Sequence, residues 1–282
     1  MPSFNLRYPG GLAKAVTFSY DDAVEQDIRL VEIFDKNGIK GTFNINTGIF
    51  AKEGHVYPEG TVHRRMTKSQ VYNLFANSPH EVAVHALTHP FLDQMQPHMI
   101  INEVLNDRKN IEEMFGKITR GMAYPFGTTS GAVVEALRLC GIVYSRTTKT
   151  TNSLELQRED WLRLSATCHH RSPMLNELSD KLINENPVRN PWLLYVWGHS
   201  FEFERENNWH IIENLCEKIG NKPDIWYATN IEIFDYITAY NSLVFSVTGN
   251  TVYNPTSTEV FFANTKSNKE YSVKPGETKI LL

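Results

Sequence analysis

Two adjacent carboxylates, Asp21 and Asp22, follow directly on the apolar run Ala15-Val16-Thr17-Phe18 in the stretch TFSYDDA. An unpaired carboxylate at the end of a buried strand is costly, so each needs a compensating partner. Further along, His85 and His89 stand four apart in VAVHALTHP, a turn-forming AYPFG occupies residues 123–127, and His199 ends the aromatic run YVWGH. Taken singly, each has an ordinary structural explanation. Adjacent aspartates make solvated turns and helix N-caps, the H-x-x-x-H spacing occurs without a metal, and an isolated histidine is commonly half-buried and hydrogen-bonded. Taken together, they meet a specific chemical need. A hydrolytic zinc site requires three His/Asp ligands and an open position for water, whose pKa the metal brings down to about 7. One aspartate with two histidines supplies that set, a second carboxylate can take the proton from the water, and a separate histidine can protonate the leaving group. One member of the aspartate pair is then neutralised by a metal, and the other stays ionised beside it as a base.

The elements that must position these residues alternate between strand and helix. After the first apolar run, VEQDIRLVEIFDKNG places Ile28, Leu30, Val31, Ile33 and Phe34 on one broad helical stripe that Gly38 ends. The β-rich IKGTFNI, a loop through residue 65, a helix near residues 67–76 and the strand EVAVHA repeat the pattern. HMIINEVLNDRKNIEEMFG and SGAVVEALRLCG read as helices on either side of ITRGMAYP. Further strands at IVYS, WLRLSA, WLLYVW and DIWYA are separated or followed by helical stretches at PMLNELSDKLINEN, WHIIENLCEKIG and IEIFDYITAY. Seven or eight such units imply a parallel sheet, open or closed into a barrel, with working residues at the C-terminal ends of strands. Beyond Tyr240 the helical period disappears. β-Branched residues and turn signals such as Asn254-Pro255 and Pro275-Gly276 predict a short antiparallel β appendage.

Composition removes several classes of function. The 282 residues, 41% apolar and 21% charged, suit one large α/β domain with a small appendage. A net charge of −4 gives no basic surplus, so neither nucleic acid nor an anionic membrane is an expected partner. Cys140, Cys168 and Cys216 are odd in number and lack metal-ligand spacing, which predicts reduced thiols. The N-terminal MPSFNLRYPGGLAKAV has no apolar core of a signal peptide, and no run reaches the ~18 apolar residues of a spanning helix, so a cytoplasmic protein is expected. Nothing in these patterns sets the oligomeric state.

In their order along the chain, the chemistry-bearing stretches resemble the motifs of the polysaccharide deacetylases with a NodB-homology domain, carbohydrate esterase family 4. The first family motif is a strand ending T-F-D-D-G, where the first Asp is the base and the second binds metal. TFSYDDA is similar, with two residues inserted or shifted before the pair, and the resemblance implies Asp21 as base and Asp22 as ligand. The second motif, H-S/T-x-x-H, is met by HALTH and implies His85 and His89 as the other ligands. The third, R-x-P-Y/F-G, is similar to AYPFG, which includes Tyr124, and implies the Phe126 N–H as oxyanion donor. The fifth, an apolar strand ending in His, is met by LLYVWGH and implies His199 as general acid. GIKGTFNINTG resembles the family's second strand. The resemblance covers about residues 12–240. It implies a deformed (β/α) barrel, with a NodB-like domain over residues 1–240 and the β appendage over residues 241–282. The implied cofactor is a divalent metal, zinc first, with cobalt, nickel or manganese acceptable to the same donor set.

Two family positions are altered. The third-motif arginine, which orients the base, falls on Ala123, and the second-motif Ser/Thr falls on Ala86. An ionised Asp21 still needs a donor, and the cluster TCHHR makes His169, His170 or Arg171 the expected replacement, the alternative being a plain surface loop. Trp161, beside Asp160 in the region of the fourth motif, and Trp197 are the aromatic residues expected to meet a sugar ring. The expected activity is hydrolysis of an acetyl group from an N-acetyl amino sugar or an O-acetyl saccharide. The alternatives are hydrolysis of a small non-sugar amide, or saccharide binding by an impaired relative in which Ala123 marks lost activity.

Overall fold

The computed structural model describes residues 3–156 and 160–281. After a short N-terminal strand, β1 (Phe4–Arg7), the chain builds a nine-stranded sheet from β2 (Lys14–Asp21), β3 (Thr42–Ile45), β4 (Glu81–Val84), β5 (Gly121–Ala123), β6 (Tyr144–Thr150), β7 (Leu164–Ala166), β8 (Cys168–His169), β9 (Trp192–Gly198) and β10 (Ile225–Tyr227). The order is β7-β6-β5-β4-β3-β2-β9-β8, and every pairing is parallel. β7 and β8 belong to one run, residues 164–169, whose first half pairs with β6 and whose second half pairs with β9. That run closes the sheet on itself. The barrel is deformed where β10 joins: β2 pairs with β10 through Lys14–Val16 and with β3 through Ser19–Asp21.

The helices α1 (Gln26–Lys36), α2 (Lys68–Phe75), α3 (Pro97–Phe115), α4 (Gly131–Leu139), α5 (Leu175–Asn184), α6 (Phe201–Arg205), α7 (His210–Ile219) and α8 (Asn230–Asn241) follow the strands in the expected alternation. This is the deformed (β/α) barrel that the motif resemblance implies.

The two-residue period of the strands sorts their side chains. On β2, Val16, Phe18 and Tyr20 join the large outer core with Leu30 and Phe34 of α1, where the Phe18 and Phe34 rings lie 4.7 Å apart. Ala15 joins the separate inner cluster with Leu193, Tyr195 and Trp197 of β9. The inner face of β2 continues with Thr17, Ser19 and Asp21. These buried polar groups are paired: Thr17 Oγ1 donates to Asn230 Oδ1 (2.9 Å), and Ser19 Oγ accepts from Asn44 Nδ2 (2.9 Å) and Arg146 Nε (3.1 Å). The strand therefore runs three residues beyond the apolar run, because its inward polar positions have partners. The same alternation brings Asp21 and His199 to the C-terminal rim of neighbouring strands.

α8 lies across the opposite end of the barrel. Its capping box is Thr229 with Glu232, and the Asn230 and Ile231 N–H groups donate to Thr42 Oγ1 (3.0 Å) and Glu81 Oε2 (2.9 Å) at the starts of β3 and β4. The C-terminal strands β11 (Val244–Phe245), β12 (Thr251–Tyr253), β13 (Val260–Asn264), β14 (Glu270–Val273) and β15 (Thr278–Ile280) form two antiparallel three-stranded sheets, β11-β12-β15 and β1-β13-β14. The N-terminal β1 thus completes an appendage sheet. Phe262, Val260 and Val273 pack there with Ala239 and Leu243 at the end of α8.

Gly121 on β5 faces the buried Tyr144 ring, and a Cβ there would fall inside the phenol. Tyr144 cannot retreat freely, because its hydroxyl donates to Glu81 Oε1 at 2.7 Å. Gly121→Ala should lower unfolding stability by about 1–3 kcal/mol, the usual cost of overpacking; a urea midpoint unchanged from the parent would contradict this.

Candidate active site

At the C-terminal rim, Asp22, His85 and His89 each present one ligand atom, and these atoms all lie within 4.8 Å of one another. His85 is held twice: its Nδ1 lies 2.8 Å from the Ala123 carbonyl, and its backbone N–H donates to Asp107 Oδ2 at 3.0 Å. A carbonyl only accepts, so Nδ1 carries the ring proton and the Nε2 lone pair is left for a metal. Burial pushes the pKa of both imidazoles down, that of His89 to about 4 with the help of His85, so both stay neutral. Asp22 behaves oppositely. Burial acts to raise its pKa, but the His63 hydrogen bond, His85 and Arg65 outweigh it and hold the carboxyl well below the usual range. Neutral imidazoles with an ionised carboxylate are the protonation states that metal binding requires.

Asp21 is held by a residue that the motif comparison did not single out. Arg146, fully buried on β6, points its Nη2 at both carboxylate oxygens (2.6 and 2.5 Å), and Asn44 Nδ2 donates to Oδ1 at 2.8 Å. Burial would raise the Asp21 pKa; Arg146, followed by His85 and His199, reverses this and keeps it low. Arg146 is the register partner of Ala123 on the adjacent strand. The missing arginine is thus supplied one strand across, and the expectation that His169, His170 or Arg171 holds Asp21 is corrected. Those three surround a different carboxylate. Glu202 Oε2 lies 3.2 Å from His169 Nε2 and 3.1 Å from His170 Nε2, while Oε1 lies 3.4 Å from Arg171 Nη2 and 3.7 Å from His199 Nδ1. His199 Nε2 faces Asp21 Oδ2 at 3.9 Å. Burial lowers the His199 pKa, but Glu202, Asp21 and Asp22 together raise it above its ordinary value.

The aromatic expectations divide. Phe126 sits at φ 58° in the β5–α4 turn, its half-exposed ring stacked on Phe91 (3.8 Å) and edge-on to His89 (4.5 Å). Trp197 is 8% exposed and lies over the Arg146 guanidinium at 4.6 Å, so it supports Asp21's partner and offers no open sugar platform. Tyr124 is buried, with its hydroxyl donating to the Leu162 carbonyl at 2.6 Å. Trp161 packs edge-on against Phe234 of α8, at the far end of the barrel. Neither Tyr124 nor Trp161 faces the rim, because each is drawn into the packing beneath its own strand.

Further residues complete the surroundings. The loop before α2 delivers His63 Nε2 to within 3.3 Å of Asp22 Oδ2, and Arg65 to the Asp22 carbonyl (2.7 Å), Asp22 Oδ1 (3.2 Å) and Asn46 Oδ1 (3.0 Å). On α3, Glu103 and Asp107 bind the loops around the histidines: Glu103 accepts from the Thr88 N–H and hydroxyl (2.8 and 2.9 Å), and Asp107 Oδ1 from the Thr47 N–H and hydroxyl (both 2.7 Å). A sequence signal existed for this acidic pair, which stands four apart on the apolar face of α3. None existed for His63 and Arg65, whose approach depends on the path of a long loop. Among the described residues, nine non-glycine positions have positive φ; four are asparagines, and the other five are Asp22, Ala23, Ala86, His89 and Phe126. Backbone strain outside asparagine is therefore confined to the rim.

Residues 10–145 match the model of the polysaccharide deacetylase family. The match includes both aspartates, both histidines of HALTH and the AYPFG turn. Among solved structures, a Mycobacterium smegmatis protein assigned as a polysaccharide deacetylase superposes with a TM-score of 0.59 at 17% identity, covering 86% of this chain and 96% of that one. The family 4 carbohydrate esterase from Streptomyces lividans, in complex with acetate, gives 0.50 at 13% identity over 77% and 93%. The Streptococcus pyogenes deacetylase PplD, also in complex with acetate, gives 0.41 at 19% identity over 47% of this chain and 55% of that one, so the alignment spans just over half of that protein. The first two likenesses agree with the barrel fold. No curated protein matches the sequence. Among the described residues, no helix is long and apolar enough to cross a membrane.

Arg146→Met leaves Asp21 buried without its counter-charge, which typically costs 3–5 kcal/mol. Unfolding free energies should show a loss of about that size, and adding Asp21→Asn to the same chain should recover part of it. Equal stability of the single and double variants would mean that the two residues are not coupled.

Proposed function

We propose that this protein is a metal-dependent hydrolase that removes the acetyl group from an acetylated saccharide. The observation that carries this reading is the division between the two adjacent carboxylates: Asp22 stands in a trio with two neutral imidazoles, while Asp21 is held ionised by Arg146 beside His199. The donor set fits a divalent metal, since His85 directs its Nε2 lone pair toward the trio and Asp22 is ionised. Zinc suits one carboxylate with two imidazoles; cobalt, nickel and manganese are alternatives.

Held by Asp22, His85 and His89, the metal would act as a Lewis acid that lowers the pKa of water and polarises the acetyl carbonyl. Asp21 accepts the proton of the attacking water as its oxygen adds to the carbonyl carbon. Arg146 and Asn44 keep the base ionised and fix its rotamer. The Phe126 N–H, on the strained turn beside His89, donates to the developing oxyanion. His199, protonated with the help of Glu202, gives its Nε2 proton to the leaving nitrogen or oxygen as the C–N or C–O bond breaks. Acetate and the deacetylated substrate leave, and the proton on Asp21 replaces the one lost by His199.

The match to the polysaccharide deacetylase model and the acetate held by the Streptomyces lividans esterase support an acetyl group on a saccharide over a non-sugar amide. The reading of an impaired saccharide-binding protein rested on Ala123, and Arg146 beside it removes that argument. Acetate release should be measured on a panel of acetylated sugars and small amides, with and without a chelator. Chelation should abolish turnover and re-addition of zinc or cobalt should restore it. His85→Ala should purify without an equivalent of metal, whereas Asp21→Asn should keep its metal and lose about 10²–10⁴-fold in turnover. Chelator-resistant turnover would overturn the metal reading, and turnover of amides alone would overturn the saccharide one.

The raised His199 pKa also has a direction that can be checked. Imidazole ordinarily titrates near 6.5, and its anionic neighbours keep His199 protonated above that pH. Glu202→Gln removes the nearest negative charge, so the alkaline limb of the kcat/KM profile should move to lower pH. An unmoved limb would exclude Glu202 from tuning the acid.

A further inference from the structure

We propose that His170, buried beneath the rim, is a positioning residue for His199 that acts through Glu202. This rests on the reading of His199 as the proton donor. The His170 ring is 1% exposed, lies over Phe203 (4.2 Å between centroids) and places Nδ1 3.3 Å from the Tyr20 hydroxyl and Nε2 3.1 Å from Glu202 Oε2. Its backbone N–H donates to the Trp197 carbonyl at 2.9 Å. The ring also occupies the space where a Cβ of Gly198 would stand, which requires glycine just before His199. His170 therefore touches both the backbone leading to His199 and the carboxylate facing that residue's Nδ1.

Proton positions follow from the partners. Burial pushes the His170 pKa down to about 4, so the ring is neutral and has one N–H. Glu202 is ionised: burial opposes this, but His169, His170 and His199 hold its pKa below the usual range. With Nδ1 accepting from the Tyr20 O–H, the His170 proton belongs on Nε2, the ring nitrogen nearest the carboxylate. His169 acts in the same way. Its Nδ1 accepts from the Arg171 N–H at 3.1 Å, which places its ring proton on Nε2, 3.2 Å from Glu202 Oε2. The ligand atoms of His169, His170 and Glu202 are close enough to hold a metal, but the His169 Nε2 lone pair that such a site needs is used by its proton. The cluster is a carboxylate clamp. Both Nε2 atoms stand within 3.2 Å of Oε2 without the alignment of a hydrogen bond, and Oε1 faces His199 Nδ1 (3.7 Å), Arg171 and Arg205 (3.4 and 3.6 Å). A phenyl ring would fill the same volume without the cost of burying an imidazole; the polar Nε2–H set 3.1 Å from Glu202 Oε2 is what the histidine adds.

The test separates protonation of the leaving group from the rest of the reaction. An acetylated amino sugar needs its departing amine protonated, whereas p-nitrophenyl acetate releases a stable phenolate that needs no proton. His170→Phe keeps the ring and removes the donor. Its loss on the amino sugar should be about 10–100-fold, the usual effect of removing an outer hydrogen-bond partner, and should exceed its loss on p-nitrophenyl acetate by at least tenfold. His170→Gln, which places an amide N–H near the same position, should recover most of the difference. Tyr20→Phe removes one oxygen and should shift the ratio in the same direction, providing a second measurement if His170→Phe does not fold. Metal content should equal that of the parent throughout. Equal losses on both substrates, or an unchanged ratio in the variants that fold, would overturn the role of His170. A parent protein that turns over neither substrate would overturn the proposed function itself.

Discussion

The rim is organised around one buried ion pair, Arg146 with Asp21. Removing a carboxylate and a guanidinium from water costs several kcal/mol per ion, and the mutual attraction offsets this only when geometry is close and remaining hydrogen-bonding groups are satisfied. Four strands meet that condition. β2 supplies Asp21 and the Ser19 hydroxyl that accepts Arg146 Nε, β3 supplies Asn44, β6 supplies the arginine, and β9 lays Trp197 over the guanidinium face. Ala123, next to Arg146 in register, leaves the guanidinium room to reach across the barrel interior. The pair is not a substitute for apolar packing, since an apolar pair of similar volume could be as stable. What it provides is a carboxylate that stays charged where burial alone would protonate it.

That requirement extends outward. Asp22 can face the two histidines only by leaving the strand at φ 87°, and His89 and Phe126 adopt similar backbone conformations. Such strain persists where surrounding contacts over-determine it. Here Arg65 holds the Asp22 carbonyl and Asn46, the Asn46 amide holds the carbonyls of His85 and Ala86, and Asp107 holds the His85 N–H. The long loop before α2 and the acidic pair on α3 are therefore parts of the site, although no short motif includes them.

What was legible in the sequence follows the range of the interactions involved. The alternation of strand and helix was readable, and with it a parallel sheet, because apolar runs and helical periods are local patterns. The residues of the family motifs were readable for the same reason. Arg146 was not, because the gap at Ala123 is filled through a cross-strand register that local spacing does not encode; the clue was an arginine set directly after the apolar IVYS. The sequence placed Tyr124 and Trp161 by proximity to motifs, but proximity does not say which face of a strand or which end of the barrel a side chain occupies. β1 was missed as an appendage strand because its partner, β13, lies some 250 residues away along the chain.

The histidines at this rim show how one residue type takes different roles without differing in chemistry. His85 and His89 lie deep enough for burial to outweigh the aspartates nearby, so their pKa values fall and they remain neutral donors of a lone pair. His199 is partly buried, yet Glu202 on one side and Asp21 on the other reverse the balance and favour the imidazolium. His170 returns to the neutral state, because Glu202 is shared among several donors and burial again prevails. Groups of like kind whose environments push their pKa values apart are the pattern that assigns acid and base in a site. Here the carboxylates do the sorting. Asp21 and Asp22 are both held ionised, so in the proposed reaction the proton for the leaving group comes from the one imidazole at the rim whose neighbours keep it charged.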